Sequence, residues 1–179
     1  LTSLVRAREY ERGTLESLFV TPVGSGEILT AKAATNFLLG MVSLAISMIF
    51  AAFVFDIPIR GSLLLLLAVS ALFLIVALGL GLVISTATKN QFLACQFAIM
   101  GTFMPALMLS GFLYDILNMP PAVRAITYLI PARYYVTLLQ TLFLAGDIPS
   151  VIIPCCITLG VFAVALMGIA RLKAPKSLE

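Results

Sequence analysis

The sequence predicts an all-α protein that crosses a membrane four times. Of its 179 residues, 61% are hydrophobic and only 11% carry a charged side chain, whereas a soluble domain averages about 45–50% apolar and about 25% charged residues. The mean hydropathy is +1.14, and long uncharged runs separate the few charges. These observations indicate that a lipid bilayer surrounds most of the folded chain.

Four uncharged runs are long enough to cross the bilayer. Each is bounded by charged residues, and they occupy positions 33–55, 61–88, 90–114 and 148–170. A helix needs about 20 apolar residues to cross the hydrocarbon core. We therefore predict a transmembrane domain over 28–171, with spans at about 30–55, 62–86, 92–112 and 149–170.

The distribution of basic residues predicts the orientation. Three basic residues, Arg60, Arg124 and Arg133, fall on one side of the predicted spans. The other eight fall on the opposite side: Arg6, Arg8, Arg12, Lys32, Lys89, Arg171, Lys173 and Lys176. The side richer in Lys and Arg is normally cytoplasmic, so both ends of the chain are expected inside. Four of the five tyrosines lie on the predicted outer side, where an aromatic belt is expected: Tyr114, Tyr128, Tyr134 and Tyr135.

A short helix over 14–20 is predicted in the cytoplasmic segment 1–27, before the first span. Gly13 permits a sharp change of direction, and Thr14 suits the N-cap position. Glu16 lies in the first turn, where a negative charge complements the helix dipole. The helix ends at Thr21, because the residue before a proline, here Pro22, is driven out of the α region.

This helix is expected to lie along the membrane surface. Leu15, Leu18 and Phe19 fall at helical spacing and form one apolar stripe. One interpretation is an interfacial helix that only anchors the fold on lipid. The acids Glu11 and Glu16 count against it, since helices that rest on anionic lipid are usually rich in Lys and Arg.

The second and third spans carry signals for packing and bending. Small residues in the second span, Ala77, Gly79 and Gly81, allow close approach of helix backbones, within the chain or with a second copy. Pro105 removes a helix hydrogen bond and is expected to bend the third span, which ends near Ser110.

Between the last two spans, residues 113–147 are too broken for a span and too apolar for an ordinary loop. We predict two short helices, at about 120–129 and 132–145, with Pro131 between them. Non-helical backbone at membrane depth needs protein or water to satisfy it. The segment is therefore predicted to be an outer re-entrant helical hairpin that caps the bundle.

Several classes of function are disfavoured. The chain has no histidine, which removes Ser-His and Cys-His nucleophilic pairs and most zinc sites. It has no P-loop sequence for binding ATP, no predicted mid-membrane acid for a proton relay, and too few basic residues for nucleic acid. The three cysteines, Cys95, Cys155 and Cys156, show no disulfide or metal spacing. We expect no catalytic residue, metal or cofactor on this chain.

Two ordered blocks resemble the permeases of ABC-2 type transporters, in particular the bacterial multidrug-export branch. The first is Glu9-Tyr-Glu-Arg-Gly-Thr-Leu-Glu-Ser-Leu-Phe-Val-Thr-Pro22, with Glu27 and Lys32 after it. The second is Leu109-Ser-Gly-Phe-Leu113, followed by Met119-Pro120, Pro131, Tyr134 and Leu144-Ala-Gly146. One departure is Leu113-Tyr114-Asp115, where the family often has an aromatic-Pro pair.

The resemblance implies six spans per subunit, a homodimer or heterodimer of permeases in the bacterial inner membrane, and a cytoplasmic ABC ATPase partner that binds ATP and Mg. It implies two sets of functional residues. The ATPase-coupling set is Glu11, Gly13, Thr14, Glu16, Leu18, Phe19, Thr21 and Pro22. The outer motif is Ser110, Gly111, Phe112, Met119, Pro120, Pro131 and Tyr134.

The chain would then be the C-terminal part of a longer permease. The absence of an initial Met and the apolar start, Leu1–Val5, agree with this expectation, and Leu178-Glu179 in the predicted cytoplasmic tail 172–179 resembles a cloning linker. The expected function is that of a lipid-embedded exporter subunit for a hydrophobic or amphipathic substrate such as a drug. The alternative is a membrane anchoring or assembly subunit without transport activity; a membrane enzyme is a weaker third.

Overall fold

The computed structural model describes residues 25–54, 60–88 and 91–172. Within these ranges the chain is helical and has no β-strand, which confirms the all-α class. Seven α-helices follow one another: α1 Ser25–Val54, α2 Leu63–Thr88, α3 Gln91–Ala98, α4 Met104–Leu109, α5 Pro121–Thr127, α6 Pro131–Gln140 and α7 Pro149–Leu172. Two π-helical turns, Ile99–Phe103 and Thr141–Ala145, and a 3-10 turn, Ile116–Asn118, complete the described elements.

Four stretches are long and apolar enough to cross a membrane, as the sequence predicted. They are Ala33–Ala51 in α1, Leu63–Thr88 in α2, Phe92–Leu109 through α3 and α4, and Pro149–Ala170 in α7. The predicted cytoplasmic helix at 14–20 lies outside the described residues. The two short helices expected near 120–129 and 132–145 correspond in position to α5 and to α6 with its π turn.

The third span contains a π turn next to Pro105, where the sequence predicted a bend. The amide of Met104 donates to the carbonyl of Ile99, five residues earlier, and the hydroxyl of Thr102 donates to the carbonyl of Ala98 at 2.6 Å. Proline has no N–H to continue the α-helical pattern. The wider turn therefore interrupts the α-helical bonding just before the proline.

The core lies between α2, α6 and α7. α2 packs most extensively against α7. Among the described residues, the buried apolar cluster comes from these three helices and the π turn after α6: Leu66, Val69, Val76, Leu138, Leu142, Ile152, Leu159 and Ala163. α1 packs mainly against α2. Among the described residues of α1, only Met48 packs against this cluster.

Small residues in α2 serve packing within the chain, at Gly79. A Cβ atom added to Gly79 would lie 2.9 Å from the Cβ of Leu166 in α7, so the two backbones approach closely. Ala77 is exposed and Gly81 is half-buried. A subunit contact on the face of Ala77 and Gly81 stays a prediction.

Substitution of Gly79 tests this contact. Gly79→Ala and Gly160→Ala both add a methyl group inside a long helix, but nothing lies within 4 Å of the Cβ position at Gly160. The gain in helix propensity is shared, so the difference between the variants isolates the overpacking cost of about 1–3 kcal/mol. Thermal unfolding in detergent should show Gly79→Ala to be the less stable variant. Equal stabilities would contradict the contact.

Candidate functional site

The candidate site is the segment from Ser110 to Asp147, which we call the cap. It begins where the third span ends, at buried Ser110. Gly111 follows with φ +86°, a left-handed conformation that favours glycine. A Cβ on Gly111 would lie 2.9 Å from the Cδ1 of Ile116. The chain therefore turns at Gly111 and folds back on the 3-10 turn.

Prolines set the starts of both short helices in the cap. Pro120 has φ −54° and ψ 148° and precedes α5, whose first residue is Pro121. Ile130 is extended, with φ −97° and ψ 113°, and precedes α6, whose first residue is Pro131. Proline suits the first helical position, because its missing N–H is one that the helix leaves unpaired in any case. Pro120 and Pro131 thus lie where the backbone enters the two helices, and their functional role stays a prediction.

A polar cluster joins α5 to α6. The Thr127 side chain is fully buried, and its hydroxyl donates to the carbonyl of Arg124 at 2.8 Å. The Arg133 guanidinium donates to the same hydroxyl oxygen and lies 3.9 Å above the centre of the Tyr128 ring. Tyr134 donates its hydroxyl proton to the carbonyl of Tyr128 at 3.0 Å. Arg133 thus contacts both Thr127 and Tyr128, near the end of α5.

The cap packs on the spans through two tyrosines of α6. Tyr134 lies against Phe162 of α7, with ring centres 6.3 Å apart. The Tyr135 ring stacks on Phe73 of α2 at 4.1 Å, and its hydroxyl is 3.1 Å from that of buried Ser70. Burial raises the pKa of Tyr135, whereas the hydrogen bond with Ser70 lowers it. The balance keeps the phenol protonated at neutral pH.

The end of the cap is fastened across the start of α2. The Gly61 amide donates to the carbonyl of Leu142 at 2.8 Å, and the Ser62 amide donates to Oδ1 of Asp147 at 2.9 Å. The Arg60 guanidinium donates to the carbonyl of Leu144 at 3.2 Å. A carboxylate at the N-terminus of a helix satisfies an otherwise unpaired amide and complements the helix dipole. Asp147 therefore acts as a tertiary cap for α2.

The remaining predicted site residues are dispersed. Phe112 is 67% exposed, Pro120 is exposed and Met119 is half-buried. The coupling residues Glu11, Gly13, Thr14, Glu16, Leu18, Phe19, Thr21 and Pro22 lie outside the described residues. Among residues 25–54, 60–88 and 91–172, no group of three His, Cys, Asp or Glu side chains could hold a metal ion.

Sequence reasoning did not predict the contacts that Ser70, Tyr135, Thr127 and Asp147 make. Ser62 before the apolar run of α2 is a recognisable N-cap signal, but its partner lies 85 residues away. The remaining contacts depend on which helix faces meet. No local pattern in a single sequence carries that information.

Comparisons with known proteins place these features in a family. The model of the ABC-2 type transporter family matches residues 1–144. The probable multidrug ABC transporter permease YbhS of Escherichia coli K12 is 48% identical over all 179 residues of the chain, which span 48% of YbhS. The probable multidrug ABC transporter permease YbhR of the same organism is 31% identical over 147 residues, 80% of this chain and 39% of YbhR.

The chain belongs to the ABC-2 type transporter family. A more distant relative, ABC transporter G family member 20 of Dictyostelium discoideum, is 25% identical over 146 residues, 82% of this chain and 20% of that protein. No solved structure matches.

Family membership identifies the chain as part of a membrane transport subunit rather than an enzyme. The ABC-2 match ends at residue 144, so it includes α1 to α6 and most of the cap. The chain spans about half the length of YbhS. It is part of a multi-pass membrane protein, and its described residues include four apolar stretches long enough to cross a bilayer.

We expect Asp147 to stabilise the junction of the cap with α2. Asp147→Ala should lower the free energy of unfolding by about 0.5–2 kcal/mol, the usual cost of losing an N-cap acceptor. Asp147→Asn keeps an oxygen acceptor and loses only the charge–dipole part, about 0.3–1 kcal/mol. Thermal unfolding of the two variants in detergent measures the difference. If Asp147→Ala were as stable as the parent chain, the tertiary cap would carry no stability.

Proposed function

We propose that the chain is the C-terminal portion of the membrane-spanning permease of an ATP-driven exporter. The observation that carries the proposal is its 48% identity, over its whole length, to a probable multidrug ABC transporter permease. The proposed direction is out of the cytoplasm or the inner leaflet, across the bacterial inner membrane. Both ends of this chain would be cytoplasmic.

The proposed substrate is hydrophobic or amphipathic, such as a drug. The four candidate spans, 33–51, 63–88, 92–109 and 149–170, contain no Asp, Glu, Lys or Arg. A strongly charged solute in such surroundings would lose its hydration without gaining an ionic partner. An apolar or amphipathic molecule loses far less, and the names of YbhS and YbhR agree with this class.

Energy for transport would come from a cytoplasmic ABC ATPase that binds ATP and Mg. Proton-coupled carriers normally need ionisable residues within the membrane, and these spans have none. The chain would engage the ATPase through the coupling residues already named and would work as a homodimer or heterodimer with a second permease. An anchoring or assembly subunit is the alternative, and transport assays separate the two.

The coupling role predicts the effect of Glu16→Lys. A desolvated ion pair with the ATPase costs roughly 2–5 kcal/mol when one partner is removed. The variant should therefore uncouple ATP hydrolysis from export while its membrane domain stays folded. The assay uses the full-length permease with its ATPase in proteoliposomes, measuring both ATPase rate and ATP-dependent movement of a panel of lipophilic dyes.

Asp56→Lys is the matched control, because it makes the same change of charge on the predicted opposite side of the membrane. It should leave coupling intact. Full substrate-stimulated hydrolysis and export in Glu16→Lys would refute the coupling role. No dye movement in the parent complex, despite hydrolysis, would instead favour the anchoring subunit.

The proposed orientation predicts which positions an impermeant thiol reagent can reach. In a full-length permease whose native cysteines are replaced, Arg60→Cys should react from outside intact spheroplasts. Lys89→Cys should react only after the membrane is opened. The reverse pattern would overturn the assignment of cytoplasmic ends.

A further inference from the structure

We propose that α2, α6 and α7 form one rigid body, and that α1 moves against this body as a lever during the transport cycle. The inference rests on the proposed function and deepens it, because it names the part of the subunit that moves. The described contacts are of two kinds: those that involve hydrogen bonds or backbone atoms, which resist movement, and those between flexible side-chain ends, which allow it. The first kind joins α2 to α6 and α7, and the second joins α1 to α2.

Contacts at three levels along α2 make the first body stiff. At its start, the amides of Gly61 and Ser62 bond to Leu142 and Asp147, which links α2 to the segment between α6 and α7. About two turns further along α2, Ser70 pairs with the hydroxyl of Tyr135 in α6. Ser70 is fully buried, and a hydrogen bond in such surroundings is electrostatically stronger than one in water.

The third level is the contact of Gly79 with Leu166. A Cβ at Gly79 would lie 2.9 Å from the Cβ of Leu166 and 3.6 Å from its backbone carbonyl carbon. These atoms belong to, or are attached directly to, the backbone of α7, so a rotamer change cannot move them. α2 can therefore slide along α7 at this point only if the two helix backbones first separate.

The contact of α1 with α2 is of the opposite kind. A Cβ at Gly40 would lie 2.9 Å and 3.2 Å from the two terminal methyl carbons of Leu74. These are the far ends of a flexible side chain, which a rotamer change can displace. The nearest atom lies 2.9 Å from the Cβ position at both glycines. At Gly79 that atom is fixed to the backbone, whereas at Gly40 it can move with the Leu74 side chain.

The other described features of α1 agree with a movable helix. The hydroxyls of Thr35 and Ser47 donate to carbonyls of α1 itself, at Ala31 and Ser43. These two hydroxyls do not tie α1 to another helix.

The position of α1 in the chain suits a lever. It begins at Ser25, four residues after Thr21, where the predicted coupling helix ends. Its 30 residues give a rod of about 45 Å at 1.5 Å per residue. A displacement imposed at the coupling helix would reach α1 before any other described element.

Paired cysteines test the division directly. One variant carries Gly40→Cys with Leu74→Cys, and its matched control carries Gly79→Cys with Leu166→Cys; both pairs replace a glycine and a leucine at a helix contact. They are introduced into a full-length permease without native cysteines, assembled with its ATPase in nanodiscs. The measurement is the rate of disulfide formation in the nucleotide-free complex and after trapping with Mg·ATP and vanadate.

The rate for 79/166 should be the same in both states. The rate for 40/74 should differ by about tenfold or more, because a conformer kept as a minor state is only about 0.1–10% populated. Equal rates for 40/74 in the two states would overturn the proposal, and so would a nucleotide-dependent rate for 79/166. If Gly79→Cys prevents folding, Ser62→Cys with Asp147→Cys replaces it as the pair within the rigid body.

Dye export by the reduced variants separates this inference from the proposed function. If the parent complex hydrolyses ATP but exports no dye, the proposed exporter function is wrong. The disulfide rates then still test whether α1 moves. Export with unchanged 40/74 rates refutes the lever alone. Oxidation of the 40/74 pair should abolish export that the reduced form performs, whereas oxidation of the 79/166 pair should preserve it.

Discussion

The backbone hydrogen bonds of the segments that join the helices are the constraint on which this structure depends. In a bilayer an amide or carbonyl without a partner costs several kcal/mol, since no water is present to pair with it. The cap breaks its helices repeatedly between Ser110 and Asp147 and so creates many such groups. At its end, the Leu142 carbonyl accepts from the Gly61 amide, and the Asp147 side chain accepts from the Ser62 amide. The same bonds satisfy the start of α2 and fix the entry of α7 beside it.

α2 is the centre of the described fold because it meets this junction at its start, the aromatic face of α6 along its first half, and α7 along its length. Lipid tails are as apolar as leucine, so hydrophobicity alone does not hold helices together inside a membrane. Close approach and specific hydrogen bonds do so instead. This explains why small or polar residues of α2, Ser70 and Gly79, mark its main contacts, although leucines and valines fill most of the helix.

The number and positions of the spans could be predicted from the sequence, because the thickness of the bilayer sets the length of uncharged run that a span needs, and that length is a local property of the sequence. Pro120 and Pro131 likewise precede or begin helices for local steric reasons. The tertiary cap at Asp147, the pairing of Ser70 with Tyr135 and the partners of Arg133 could not be predicted. Each depends on two helix faces meeting in space. The π turn before Pro105 is intermediate: the proline signals an interruption but does not specify its geometry.

Under the proposed function, energy reaches the described spans as mechanical displacement from the ATPase, and the proposed cycle therefore depends on where the bundle is stiff. Stiffness in this chain follows from what each close contact touches. Gly79 meets atoms on or attached to the backbone of Leu166, whereas Gly40 meets the ends of the Leu74 side chain. Under the proposed division, the contact at Gly79 is therefore rigid and the contact at Gly40 can yield, although both glycines lie where two helices pack. On this view the part of the side chain that faces each glycine decides whether the two helices can move. Contact with the terminal methyl groups of Leu74 permits movement of α1, whereas contact with the Cβ of Leu166 prevents movement of α2 along α7.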